Sequence, residues 1–176
     1  MIPAPADRIL TAIEPGASVG DRTPEDRLRE LGIVLPPPPK PIANFVPYVQ
    51  EGNLLFLSGQ GPIEPGGVRH TGKVGDTVTI QEAYGHARIT GINLLAVLQD
   101  AVGSLIKVRR IVKVLGMVNA APDFSEHPRV INGCSDLLVS VFGDAIGRHA
   151  RSAVGLNSLP GQITVELELI VALHAA

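Results

Sequence analysis

Apolar positions along the chain change their period several times, and each change marks an element. Leu54-Leu55-Phe56-Leu57 is a short apolar run closed by Ser58-Gly59-Gln60-Gly61-Pro62, which predicts a buried strand entering a tight turn. Glu64-Pro65-Gly66-Gly67 is a further turn, and a second short strand is expected near Val68–His70. Thr79 followed three residues later by Glu82 has the form of a capping box. From there Ala83, Ala87, Gly91, Leu94, Leu98 and Val102 recur at three- and four-residue steps, the stripe of one helix. Its small residues suit close packing on a sheet. The run 111–118 reads as a strand. A second helix is expected from His127-Pro128, with Ile131, Cys134, Leu138 and Val141 on its stripe and a stop near Gly143. The tail from Arg151 to Leu173 reads as a hairpin turning at Asn157-Ser158-Leu159-Pro160-Gly161. The order predicts an α+β fold, one mixed sheet with two long helices on one face.

Residues 1–40 follow a different pattern. Thr23-Pro24-Glu25-Asp26 predicts a helix with Thr23 as N-cap and Pro24 in its first turn, running to about Leu31 and stopped by Gly32. Pro36-Pro37-Pro38-Pro39 can be neither helix nor central strand, so it is an extended, stiff connector. Such a segment buries too little to stand alone. We therefore expect an arm over 1–40 and one domain over 41–176.

Composition narrows the classes. Of the 176 residues 45% are hydrophobic and only 3% aromatic, so a core exists and is built from Val, Leu, Ile and Ala. The net charge of −2 gives no support to a nucleic-acid binder, which usually carries a basic surplus. The basic stretch at Lys107, Arg109 and Arg110 reads as a solvated turn. One cysteine, Cys134, excludes an intrachain disulfide and fits a reducing, cytoplasmic setting. On the second helical stripe it reads as a small buried hydrophobe. The N-terminus lacks the apolar stretch of a signal peptide, and no membrane span is expected. The histidines show no metal-binding spacing, so no metal or cofactor is expected. His149, two residues from Arg151, reads as a surface histidine or a pocket wall.

If the tail is a hairpin centred between Ser158 and Leu159, Arg151 faces Glu166. One sheet face then carries Arg151, Ala153, Gly155, Thr164, Glu166 and Glu168. Ala153 and Gly155 leave an empty volume beside a permanently charged fork suited to carboxylates. The pattern is equally that of an ordinary cross-strand ion pair on a solvated face, contributing roughly 0.2–1 kcal/mol. Pattern alone favours the plainer reading.

Three ordered segments change that weighting. RSAVGLNSLPGQITVELE at 151–168, GNLLFLSGQGP at 52–62 and VINGCSDLL at 130–138 together resemble the RidA (YjgF) family in sequence, order and spacing. The phrase PPPPKPIANFVPYVQEGNLL resembles a longer subfamily with an N-terminal extension. The resemblance implies a chorismate-mutase-like homotrimer whose intersubunit clefts bind small carboxylate-bearing molecules. It also implies a cofactor-independent imine/enamine deaminase, hydrolysing 2-imino acids to 2-oxo acids and ammonia. A non-catalytic carboxylate binder using the same pocket is the rival. A ribonuclease role has also been attached to the family, against the weak basic character here.

Carried over position by position, the resemblance makes Arg151 the carboxylate clamp and Glu166 the residue that holds the hydrolytic water. Ser58, Gly59 and Asn132 become pocket residues. The family's tyrosine over the ligand falls on Phe45, which keeps the ring and loses the hydroxyl. Tyr48 substitutes for it only if the loop is displaced. The family's cysteine near the arginine is Ala153 here.

Overall fold

The computed structural model describes residues 22–41 and 43–175. Its first element, α1 (Pro24–Glu30), has Thr23 as the expected N-cap, and Asp26 completes a capping box with it. Leu28 is buried, and Glu25 Oε1 accepts from Ser104 Oγ (2.8 Å) and the Leu105 backbone N–H (2.7 Å). These contacts fasten the arm to the domain. Beyond Gly32, Ile33 and Leu35 pack on the core.

Five strands follow, β1 (Tyr48–Glu51), β2 (Leu54–Gln60), β3 (Val108–Asn119), β4 (Ala150–Leu156) and β5 (Val165–Leu173). Two long helices, α2 (Ile80–Val102) and α3 (His127–Gly147), connect β2 to β3 and β3 to β4. The sheet order is β1-β2-β5-β3-β4, and α2 and α3 lie side by side on one face. Val114, Val118, Leu167, Leu169 and Val171 point up from the sheet into them and are fully buried. Gly91 and Gly133 let the helices approach closely. A Cβ at Gly133 would sit 2.0 Å from the Tyr84 carbonyl oxygen. By length and composition α3 is apolar enough to cross a membrane. Its apolar stripe, Ile131, Cys134, Leu138 and Val141, is spent on the core.

The predicted elements stand where the periodicity put them, with three differences. Around Val68–His70 there are only isolated bridges, Ile63 with Arg69 and Thr71 with Ile163, because the two glycines at positive φ curl the chain instead of extending it. The second helix breaks at Gly143 (φ 73°) and regains a turn to Gly147.

The third difference matters most. β4 and β5 are not a hairpin. β4 runs parallel to β3 on one side, pairing Val114 with Arg151, while β5 runs antiparallel on the other, pairing Met117 with Glu166. The 157–164 connection crosses the end of β3, and the ladder partners of both strands lie far away in sequence. The expected Arg151–Glu166 pair and the shared face carrying Ala153 and Gly155 with Glu166 are therefore corrected.

Candidate functional site

Paired residues in neighbouring strands share a face. Arg151 pairs with Val114, which faces the helices, and Glu166 pairs with Met117, which faces away. Within one chain the two groups lie on opposite faces of the sheet. The site residues divide accordingly into two clusters.

The first cluster surrounds Glu166. A cavity of about 300 Å³ is lined by Glu166, Gly59, Gln60 and Phe45, with Ile63, Pro160 and Ile163 among its apolar walls. Gly59 borders the carboxylate closely: a Cβ there would fall 2.2 Å from Glu166 Oε1, and the glutamate side chain would have to swing away from its present position. Half-burial raises the proton affinity of Glu166 above the usual carboxylate value, and nearby Glu168 adds to the effect. Its carboxylate forms no side-chain hydrogen bond among the described residues, which leaves its oxygens available to a ligand or water.

Ser58 is not on this wall. Its hydroxyl donates to the Val46 carbonyl (2.7 Å) and its N–H to the Pro47 carbonyl (3.0 Å), holding the segment that carries Phe45. Tyr48 begins β1 and packs on the core, so it does not replace the missing hydroxyl. Sequence reading missed Asn93 of α2. Buried, it donates to the carbonyls of Gly61 (3.0 Å) and Ile63 (2.9 Å) and pins the turn that floors the cavity. A polar residue on an otherwise apolar helical stripe was its one signal. The stacked rings of His70 and His86, with centroids 4.2 Å apart, brace the same loop.

The second cluster surrounds Arg151. Its guanidinium is turned toward α3, where Nη1 donates to Asn132 Oδ1 and to Ser135 Oγ, both at 2.9 Å. Asn132 and Ser135 are three residues apart and so share one helix face. His149 lies 3.1 Å from Ser135 Oγ through Nε2 and 2.7 Å from the Gly147 carbonyl through Nδ1. A carbonyl only accepts, so Nδ1 carries the proton and Nε2 takes the Ser135 hydroxyl proton. Burial lowers the His149 pKa against the pull of the Gly147 carbonyl, and Arg151 lowers it further. The ring is thereby kept neutral beside the guanidinium. An open cleft lies over this cluster, walled by Ser135, Val139, Arg148 and His149. His149 is thus a pocket-wall residue, the alternative left open by the sequence, and Ser135 is an addition to it.

Cys134, one position from Ser135, is fully buried and its thiol is pushed up to about 12 by that burial, so it is inert. Among the described residues no group of three or more His, Cys, Asp or Glu side chains is placed to hold a metal ion. The two clusters present a cation on one sheet face and a carboxylate in an apolar cavity on the other.

Comparison with known proteins agrees with this architecture. The family model described as "YjgF/chorismate_mutase-like, putative endoribonuclease" matches residues 25–170. The chain is 42% identical over 147 residues to Protein TCP17 of Trypanosoma cruzi, covering 84% of this chain and 92% of that one. Among solved structures, it is 43% identical to the protein Atu1372, "with unknown function", from Agrobacterium tumefaciens, with a TM-score of 0.78 over 86% of this chain and 92% of that one. It also matches the structure of "a putative endoribonuclease" from Shewanella oneidensis at 34% identity and a TM-score of 0.83, over 86% of this chain and all (100%) of that one. With the mixed sheet, the two covering helices and the matched span in hand, the chain belongs to the YjgF (RidA) family.

Proposed function

We propose that three copies of this chain close a ring in which the Arg151 cluster of one protomer meets the Glu166 cavity of the next. The joint pocket deaminates 2-imino acids. The observation that carries this reading is the half-buried Glu166 carboxylate in an apolar cavity, without a side-chain hydrogen bond among the described residues, and the matching cation on the opposite face of the same chain. A cyclic, head-to-tail contact is the arrangement that brings such halves together. The uncovered sheet face supports it, since Val49, Phe56, Val154 and Leu156 there are each more than a third exposed, and β1 and β4 are free edges.

In this reading the 2-enamino acid tautomerises to the imine, whose carboxylate binds Arg151. The neutralised carboxylate leaves C2 more electrophilic. Glu166 accepts a proton from water as the water oxygen bonds to C2 and hands it to the imine nitrogen, giving the carbinolamine; it then takes the carbinolamine O–H proton and delivers it to the amine nitrogen as the carbinolamine collapses. The C–N bond breaks, ammonia leaves, and the 2-oxo acid keeps the water oxygen. General-base help of this kind contributes roughly 10²–10⁴-fold. The imine is itself an electrophile, and the residues named carry every proton transfer. The buried cysteine thiol fits a reducing cytoplasmic setting. With a net charge of −2, the ribonuclease role in the family's description finds less support here.

The test is turnover of 2-aminoacrylate generated in situ, set beside binding of 2-oxobutanoate. Glu166→Gln lowers the rate by about 10²–10⁴-fold and keeps 2-oxobutanoate binding. Because Glu166 must be deprotonated to take a proton from water, wild-type activity falls as pH drops through its pKa, which burial and Glu168 raise and the neighbour's guanidinium lowers. That acid limb disappears in the glutamine variant. Phe45, lacking the family's hydroxyl, favours a second reading as a carboxylate binder. Wild-type protein that binds 2-oxobutanoate without turning over any imine would establish that second reading and end the first.

A further inference from the structure

The cavity over Glu166 is not made by the sheet and its loops alone. Two of its walls, Pro39 at the end of the arm and Pro41 at the start of the domain, come from the junction between them. That segment is held at its upstream end by Leu28, Ile33 and Leu35 packed on the core and by the Glu25 cap on the Ser104–Leu105 backbone. Between anchor and cavity it is a run of prolines, whose fixed φ makes a preformed, extended wall instead of a loose flap. On the other side Ser58 ties down the Val46 carbonyl, which sets Phe45.

The lining is mostly apolar, with Pro39, Pro41, Phe45, Ile63, Pro160 and Ile163 around a single inward carboxylate. Lys40 and Arg69 also border the cavity, but both are exposed at its rim. A volume of about 300 Å³ is far more than the methylene of 2-aminoacrylate fills. Leaving it to water forfeits the contact that an apolar group would gain there.

We infer that the prolines of this junction form a specificity wall, and that this pocket selects 2-imino acids bearing bulky apolar side chains, branched or aromatic, over the smallest ones. The inference rests on the deaminase reading and adds the substrate class. Each buried methylene is worth roughly a fourfold gain in affinity, so a branched four-carbon side chain should exceed an ethyl group by at least about tenfold.

The experiment titrates the full-length protein by calorimetry with the product-side acids 2-oxobutanoate, 4-methyl-2-oxopentanoate, phenylpyruvate and 2-oxoglutarate. The expected result is that 4-methyl-2-oxopentanoate or phenylpyruvate binds at least about tenfold more tightly than 2-oxobutanoate. The double variant Pro39→Gly, Pro41→Gly, verified as folded by circular dichroism, should bring that preference down toward parity. Equal affinities across the series overturn the inference while leaving the carboxylate pocket in place. Tightest binding of 2-oxoglutarate also overturns it, since the rim cations would then be selecting. A double variant that keeps the full preference removes the junction from the explanation. If none of the four acids binds, the deaminase reading falls and takes this inference with it.

Discussion

On the proposed function, Arg151→Ala is expected to lower kcat/KM for imino-acid hydrolysis by about 30-fold or more, because removing one partner of a sheltered charge pair costs roughly 2–5 kcal/mol. In the proposed pocket the guanidinium, set by Asn132 and Ser135, holds the substrate carboxylate, and alanine keeps neither charge nor fork. Lysine at this position restores charge without the planar fork, so it recovers only part of the loss. Stability is affected little. Arg151 is only partly buried beside an open cleft, and water can replace it at Asn132 and Ser135. The check is a pair of measurements, steady-state rate and thermal melting. Wild-type kinetics in the alanine variant would remove Arg151 from the chemistry, and a large fall in the melting temperature would make it a structural residue.

Gly133→Ala produces the largest expected loss of stability. The added methyl would lie 2.0 Å from the Tyr84 carbonyl oxygen and 3.1 Å from the Arg88 backbone nitrogen. Both are backbone atoms of α2, which no side-chain rotation can move aside. The helices must separate, opening the layer that covers Leu94, Leu137 and Leu138. Overpacking costs about 1–3 kcal/mol and more where backbone must shift. We expect the upper end, a fall in melting temperature of about 10 °C for a chain of this size. Gly85→Ala is the internal control. A Cβ there meets nothing within 4 Å, and replacing a helical glycine stabilises by roughly 0.5–1 kcal/mol. Denaturant midpoints of the two variants, moving in opposite directions, are the readout.

The two variants separate what local sequence encodes from what it does not. α2, α3 and β3 were legible because periodicity and capping are written within a dozen residues: Thr79 and Glu82 announce a helix without reference to anything distant. Arg151 and Glu166 were legible as residue types through the family-like segments around them. Their grouping was not. A strand's alternation says which residues share a face, but not which neighbour it pairs with, and two strands joined by a short polar turn read as a hairpin. β3 lies between them because α3 returns the chain parallel to it, a tertiary outcome with no marker in 151–169. The same reason hides Asn93, Ser135 and the arm's contribution to the cavity. Each gains its role from a residue more than a dozen positions away.

The placement of a cation and a carboxylate on opposite sides of one sheet has a genetic consequence. If each pocket draws one half from each of two neighbours, a chain lacking Arg151 and a chain lacking Glu166 carry complementary lesions. Co-expressed, they should reconstitute intact pockets at about a quarter of the junctions in randomly mixed rings. Two alleles that are each dead alone would then sustain activity together, and neither would poison the other completely.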